Sequence, residues 1–192
     1  MNINIKKLTP QMAEEFLGYF DCSAFPEGDP RTGCYCLESH LKNEGEITAA
    51  ADRREKAREL IISGRMTGYL IYDGSRAVGW CNAGDKADFL PLCENDEFHT
   101  PEDERGRIKV LYCIDLAPEY QGKGIAGRIM ERFLADAAGE GFVYAEGYPF
   151  TDRAFVWQYH GPVRLFEKFG FELYSERSCF YIMRKALQTQ EN

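Results

Sequence analysis

Apolar residues along this chain recur with two periods, and the changes between them lay out a succession of strands and helices. Residues 2–8 predict a short first strand. Thr9 offers a helix N-cap with Pro10 at the first helical position, and the helix itself is expected over Gln11 to Phe20. Residues 21–46 carry Pro26, Pro30, several glycines and the pair Cys34/Cys36, which predicts irregular chain. Thr48 can cap a second helix over Ala49 to Ile62, closed by Ser63-Gly64.

"GYLIYDGSRAVGWCNAG" reads as a hairpin. Tyr69 to Tyr72 is one strand, Asp73-Gly74 the turn and Ala77 to Asn82 the return. Residues 85–106 are polar, contain two prolines and predict an exposed loop, whereas "RIKVLYCIDL" (107–116) is the clearest strand signal in the chain. Ile125, Ile129, Met130, Phe133, Leu134, Ala137 and Ala138 then repeat at helical spacing until Gly139 or Gly141. "FVYAEGY" predicts another strand, "GPVRLFEKFG" a short helix from Pro162 to Gly170, and Phe171 to Tyr174 and Cys179 to Met183 two closing strands. No repeat, low-complexity tract or linker interrupts this order. The expected architecture is an α/β sandwich with a mixed sheet, in a single domain over 1–192.

Composition narrows the functional classes. With 44% hydrophobic and 14% aromatic residues, the 192-residue chain is not a disordered one. Its net charge of −8 disfavours sequence-independent nucleic-acid binding, which depends on neutralising phosphates. No stretch approaches a transmembrane helix, and "MNINIKKLTP" lacks the apolar core of a signal peptide. The chain therefore reads as cytoplasmic, and its seven cysteines, an odd number, do not suggest a disulfide framework.

The chemistry concentrates in "YQGKGIAGRIM", where Gly122, Gly124 and Gly127 are spaced G-x-G-x-x-G between a strand and a helix. Glycines let a ligand approach the backbone, and successive amides at a helix N-terminus suit a pyrophosphate. A dinucleotide is one candidate, with Glu146 about 20 positions on as the ribose partner. Against it, Ala117 to Gln121 separate the strand from the first glycine, and too few residues follow for the rest of such a fold. A Walker-type loop lacks its spacing and its Ser/Thr.

The segment Gln121-Gly122-Lys123-Gly124-Ile125-Ala126, preceded by "CIDLAPEY" and followed at a distance by "PVRLFEKFGF", resembles the GCN5-related N-acetyltransferase (GNAT) family. The hairpin "AVGWCNAG", "VYAEGYP" and "GCYCL" resemble one bacterial branch of it. The resemblance implies a mixed, mostly antiparallel central sheet flanked by helices, acetyl-CoA as acyl donor and an amine acceptor, on a small molecule or a peptide. The oligomer is left open between monomer and homodimer, and an exposed edge strand after Gly170 could pair two copies. It implies that the amides of residues 121–127 (Gln121, Gly122, Lys123, Gly124, Ile125, Ala126 and Gly127) hold the pyrophosphate. Lys123 or Arg128 would add charge. The strand before the loop would splay from its neighbour, and backbone groups of Ile114 and Leu116 would pair with the pantetheine arm like an added strand. Asp115, between them, would orient the loop, and is a lesser candidate than Glu146 for the base that the chemistry requires.

Direct acyl transfer needs a base, an oxyanion partner and a proton for the departing thiolate. Glu146, on the strand after the cofactor helix, is the candidate base, directly or through a water. A glutamate there can equally serve as a cap or ion-pair partner. The family's tyrosine four residues before the glycine of Gly-Phe is Phe166 here. Either solvent protonates the thiolate or another group does, with Tyr159 as the candidate proton donor and Tyr112 and Tyr174 as others. Trp80, Phe155, Trp157 and Tyr159 are candidate walls for the acceptor. Cys22, Cys34, Cys36 and His40 could form a zinc site, and Cys113 or Cys81 could carry an acyl group. The alternatives to acyl transfer are an NAD-dependent oxidoreductase and a non-catalytic coenzyme A- or zinc-binding sensor.

Overall fold

The computed structural model describes residues 1–41, 47, 49–89, 96–100, 107–151 and 159–187. Seven strands form one sheet: β1 (Ile3–Lys7), β2 (Gly68–Asp73), β3 (Arg76–Asp85), β4 (Ile108–Leu116), β5 (Tyr144–Gly147), β6 (Glu172–Glu176) and β7 (Tyr181–Ala186). Their order is β1-β2-β3-β4-β5-β7-β6, and every adjacent pair is antiparallel except β4 and β5. Among the described residues the α-helices are α1 (Ala13–Cys22), α2 (Ala50–Ile62), α3 (Ile125–Gly139) and α4 (Val163–Lys168).

Alternation along the central strands distributes side chains to two cores. On β2, Leu70 and Tyr72 join Phe16, Leu17, Leu60 and Trp80 beneath α1 and α2. Tyr69 and Ile71 join Ile125, Ile129, Met130, Phe133 and Phe166 on the α3 face. Both faces are covered, so β2 is buried over Gly68 to Tyr72 and reads in sequence as a continuous apolar run rather than an alternating one.

Several boundaries differ from the sequence reading. The chain enters α1 through a 3-10 turn at Pro10–Met12, so the α-helix starts at Ala13. Thr9 contributes its main-chain carbonyl to Met12 rather than a side-chain cap. Thr48 lies outside the described residues; Ala49 precedes α2, and Gly64, at φ +72°, follows it. The expected exposed loop after β3 is in part interior. Lys86, Phe89 and Thr100 are buried, because Phe89 stacks on Tyr112 and Lys86 reaches the Glu146 carboxylate. Among the described residues, no helix is long and apolar enough to cross a membrane.

Two irregularities open the middle of the sheet. The β3–β4 register skips Tyr112, passing from Asn82↔Cys113 to Ala83↔Leu111, so β4 carries an extra residue and bends. The parallel pairing of β4 with β5 ends at Leu111↔Gly147. Beyond that point the chain after β5 turns to β7, with Phe150 bridging Phe180 and Pro149 accepting from Tyr181. The C-terminal half of β4 thereby leaves its β5 neighbour.

Candidate active site

The glycine loop lies at the end of this diverging strand. Gln121 folds its side-chain amide back onto the Leu116 carbonyl at 3.0 Å, tying loop to strand. Gly122 and Gly124 adopt left-handed φ of 70° and 78°, a conformation that costs other residues free energy. A Cβ on either would meet nothing within 4 Å, so the space beside the backbone is open. Gly124 is the N-cap of α3, and the first N–H groups of that helix have no carbonyl a turn earlier to bond. Residues 122–126 thus combine open approach, orphan donors and the positive end of a fifteen-residue helix.

The expected ligand contacts divide on inspection. Ile125 directs its side chain into the α3 core, leaving only its amide for a ligand, and Ala126 follows in the first turn. Gly127 is a helical residue facing Phe169, and a Cβ there would lie 3.9 Å from that ring, an ordinary contact, so packing does not demand glycine at this position. Lys123 is exposed, 5.6 Å from the Tyr120 ring, while Arg128 is engaged by the Ile3 carbonyl at 2.8 Å. Ile114 and Leu116 pack toward α3.

Asp115 corrects the expectation that it orients the loop. Strand alternation sends it to the opposite face, where its Oδ2 accepts the Tyr19 hydroxyl at 2.6 Å. There it lines a cavity of about 570 Å³ with Phe20, Phe25, Tyr112, Cys113 and Tyr159. Burial lifts its carboxyl to about 6, against the opposing pull of the Tyr19 hydrogen bond and the Arg31 charge. Among the described residues, its Oδ1 takes no hydrogen bond.

The loop 29–39 forms the cavity's outer wall. Arg31 is clamped by Asp29 at 2.9 and 2.8 Å, and Arg53 of α2 donates to the Gly33 and Cys34 carbonyls and to Glu38. Both guanidiniums are thus spent on building the wall. Tyr35 and Cys36 sit at φ of 45° and 53°, which is uncommon for non-glycine residues and strains this segment.

Glu146 is the second correction. It is fully buried and absent from the cavity lining. The β5–β7 register sets Arg184 opposite it, and the Arg184 Nε donates at 2.7 Å. Lys86 Nζ at 2.9 Å and the Tyr148 hydroxyl at 2.5 Å complete the cage. A carboxylate enclosed by two cations and a hydroxyl, away from the cavity, has no open side to meet a substrate, and this one anchors the fold.

Tyr159 does line the cavity, and burial pushes its phenol up to about 12, so the hydroxyl keeps its proton at neutral pH. Tyr112 also lines it, while Tyr174 stands on the edge strand over Arg184, 4.2 Å from the guanidinium. Trp80 is core, packed edge-on against Phe16. Phe155 and Trp157 lie outside the described residues.

The cysteines regroup. Cys34, Cys36 and Cys113 line the cavity, whereas Cys22 is exposed elsewhere. Among the described residues no cluster of three or more His, Cys, Asp or Glu could hold a metal, so the zinc reading finds no site there. A hydrogen bond with Cys36 and burial raise the Cys113 thiol, and burial raises that of Cys81, making both poor nucleophiles for an acyl-cysteine route. His40 and His160 are buried and lowered to about 4, hence neutral.

Residues 34–171 match the family described as the acetyltransferase (GNAT) family. No curated protein matches the chain. Among solved structures, an acetyltransferase from Thermus thermophilus is 15% identical with a TM-score of 0.57, covering 97% of this chain and 98% of its own. The mosquito arylalkylamine N-acetyltransferase like 5b gives 15% and 0.61, covering 97% and 100%. The PaiA N-acetyltransferase of Thermoplasma acidophilum, solved in complex with coenzyme A, gives 16% and 0.54, covering 97% and 99%. At these identities the likeness establishes the fold. The NAD reading is not supported: a dinucleotide fold needs a parallel sheet, and here one pair of strands is parallel.

Proposed function

The chain belongs to the acetyltransferase (GNAT) family, and from that premise we propose that it transfers an acetyl group from acetyl-CoA to an amine by direct attack on the thioester. The observation that carries this reading is the pairing of the open glycine loop with the Asp115 cavity on opposite faces of one diverging strand. The amides of residues 122–126 take the pyrophosphate. The pantetheine arm runs along the β4 edge past Leu116 and Ile114, in the place of the missing β5 partner. The coenzyme A complex of the Thermoplasma relative supports this choice of donor.

The amine enters the cavity beside Asp115, an anion at neutral pH with one oxygen held by Tyr19. As the nitrogen bonds to the thioester carbon its attached protons become acidic, and Asp115 receives one. The tetrahedral centre then collapses with cleavage of the carbon–sulfur bond. The Tyr159 hydroxyl, protonated at neutral pH, supplies the proton that turns the leaving thiolate into free coenzyme A. Asp115 thus replaces Glu146 as base, and Tyr159 fills the place left by Phe166.

A thiol-release assay with acetyl-CoA over a panel of amines tests the reading. Turnover should rise with pH through an apparent value near 6, as Asp115 ionises. Failure of acetyl-CoA to stabilise the protein against heat, at concentrations well above micromolar, would refute donor binding and the reading with it.

A further inference from the structure

The β4 edge beyond Leu111 is not bare. The Ile114 N–H donates to the main-chain carbonyl of Tyr159 at 2.7 Å. That N–H is one of the groups that the acyl-transfer reading gives to the donor arm, and the present inference rests on that reading. One N–H cannot serve two carbonyls in line at full strength, so the arm and Tyr159 compete for it.

The ring of the same residue is a wall of the acceptor cavity. It stands 5.4 Å from Phe150 and 4.6 Å from His160, and His160 packs edge-on against Tyr112 at 4.9 Å. The uncharged His160 lets this aromatic group pack without an ion to solvate. Gly161 follows at φ +81°.

We propose that Tyr159, beyond the proton its hydroxyl supplies, couples the two substrates through its main-chain carbonyl. Its carbonyl holds the Ile114 N–H in the free protein and is displaced when the acyl donor seats. The displaced carbonyl belongs to the planar Tyr159–His160 peptide, whose two Cα atoms carry the rings packed against Phe150 and Tyr112, so its movement repacks that aromatic group and the acceptor cavity takes its working shape only on the donor-bound protein. The exchange also lowers donor affinity, since the free protein must first give up a bond it already makes.

The test uses the full chain labelled with ¹⁵N and ¹³C, and reads the through-hydrogen-bond coupling between the Ile114 nitrogen and the Tyr159 carbonyl carbon. Acetyl-CoA and coenzyme A binding are followed separately by calorimetry. The coupling should be present in the free protein and vanish at donor saturation. Tyr159→Ala, which removes the ring that pins the carbonyl, should bind acetyl-CoA about threefold or more tightly; its turnover is slowed by loss of the proton donor in any case, so donor affinity is the readout. A purely structural role would weaken donor binding. Coupling that survives at saturation, coupling absent from the free protein, or unchanged donor affinity in the variant would overturn the proposal with acyl transfer left standing. Calorimetry showing no donor binding would instead overturn both.

Discussion

Asp115→Asn should make this protein more stable and less active at once. Burial moves the carboxyl from its ordinary 3.8 to about 6, with the Tyr19 hydrogen bond and Arg31 opposing and Asp29 adding to the rise. An acid lifted in the folded state binds protons more tightly there than in the unfolded chain. Stability from this group is therefore fully present below about pH 4, declines as pH climbs, and is lost once pH passes about 6. The difference corresponds to about 3 kcal/mol. Asparagine is neutral throughout, and its Oδ1 can still accept from Tyr19, so the variant escapes the loss. Allowing for desolvation of the new amide, the expected gain at neutral pH is about 1–3 kcal/mol. Urea unfolding of both proteins across about pH 4 to 8, followed by tryptophan fluorescence, measures the gap directly. It should close toward the acid end. The variant should also release coenzyme A at least about 100-fold more slowly. A gap that is flat with pH, or a wild type more stable at neutral pH, refutes the desolvated carboxyl. Undiminished turnover removes Asp115 as base.

Three further substitutions separate site from scaffold. Glu146→Gln removes the buried carboxylate that Lys86 and Arg184 both contact and should lower unfolding free energy by about 3 kcal/mol or more. A variant of unchanged urea midpoint but greatly reduced turnover would return Glu146 to the chemistry. Gly124→Val forces a β-branched residue to φ +78° and fills the open space beside the loop. It should cost about 1–2 kcal/mol of stability and abolish the thermal shift given by acetyl-CoA; a retained shift would place the donor elsewhere. Gly147→Ala would drive a methyl into the Phe166 ring, which closes the core where β5 ends. A loss of about 1–3 kcal/mol in chemical unfolding is expected, and a neutral result would mean that Phe166 readily gives way.

Much of the fold was legible in residue order. The spacing of Ile125, Ile129, Met130 and Phe133 marks α3, and Asp73-Gly74 marks the β2–β3 turn. Gly122 and Gly124 announce the loop, because left-handed backbone and an open approach are demands that glycine meets locally. Even the side taken by Asp115 was available. It alternates with Ile114 and Leu116, and period 2 sets it on the other face from the loop's helix.

Which carboxylate could serve as base was not decided at that level. Asp115 and Glu146 both sit near strand ends, and nothing adjacent in sequence distinguishes them. Glu146 is committed by Lys86, 60 residues away, and Arg184, 38 residues away, while Asp115 meets Tyr19 across 96 residues. Periodicity, caps and turns follow from neighbouring residues, since they express backbone sterics and local hydrogen bonding. Desolvation and ion pairing depend on which distant groups the packed sheet brings within a few ångströms, and only the tertiary structure determines those.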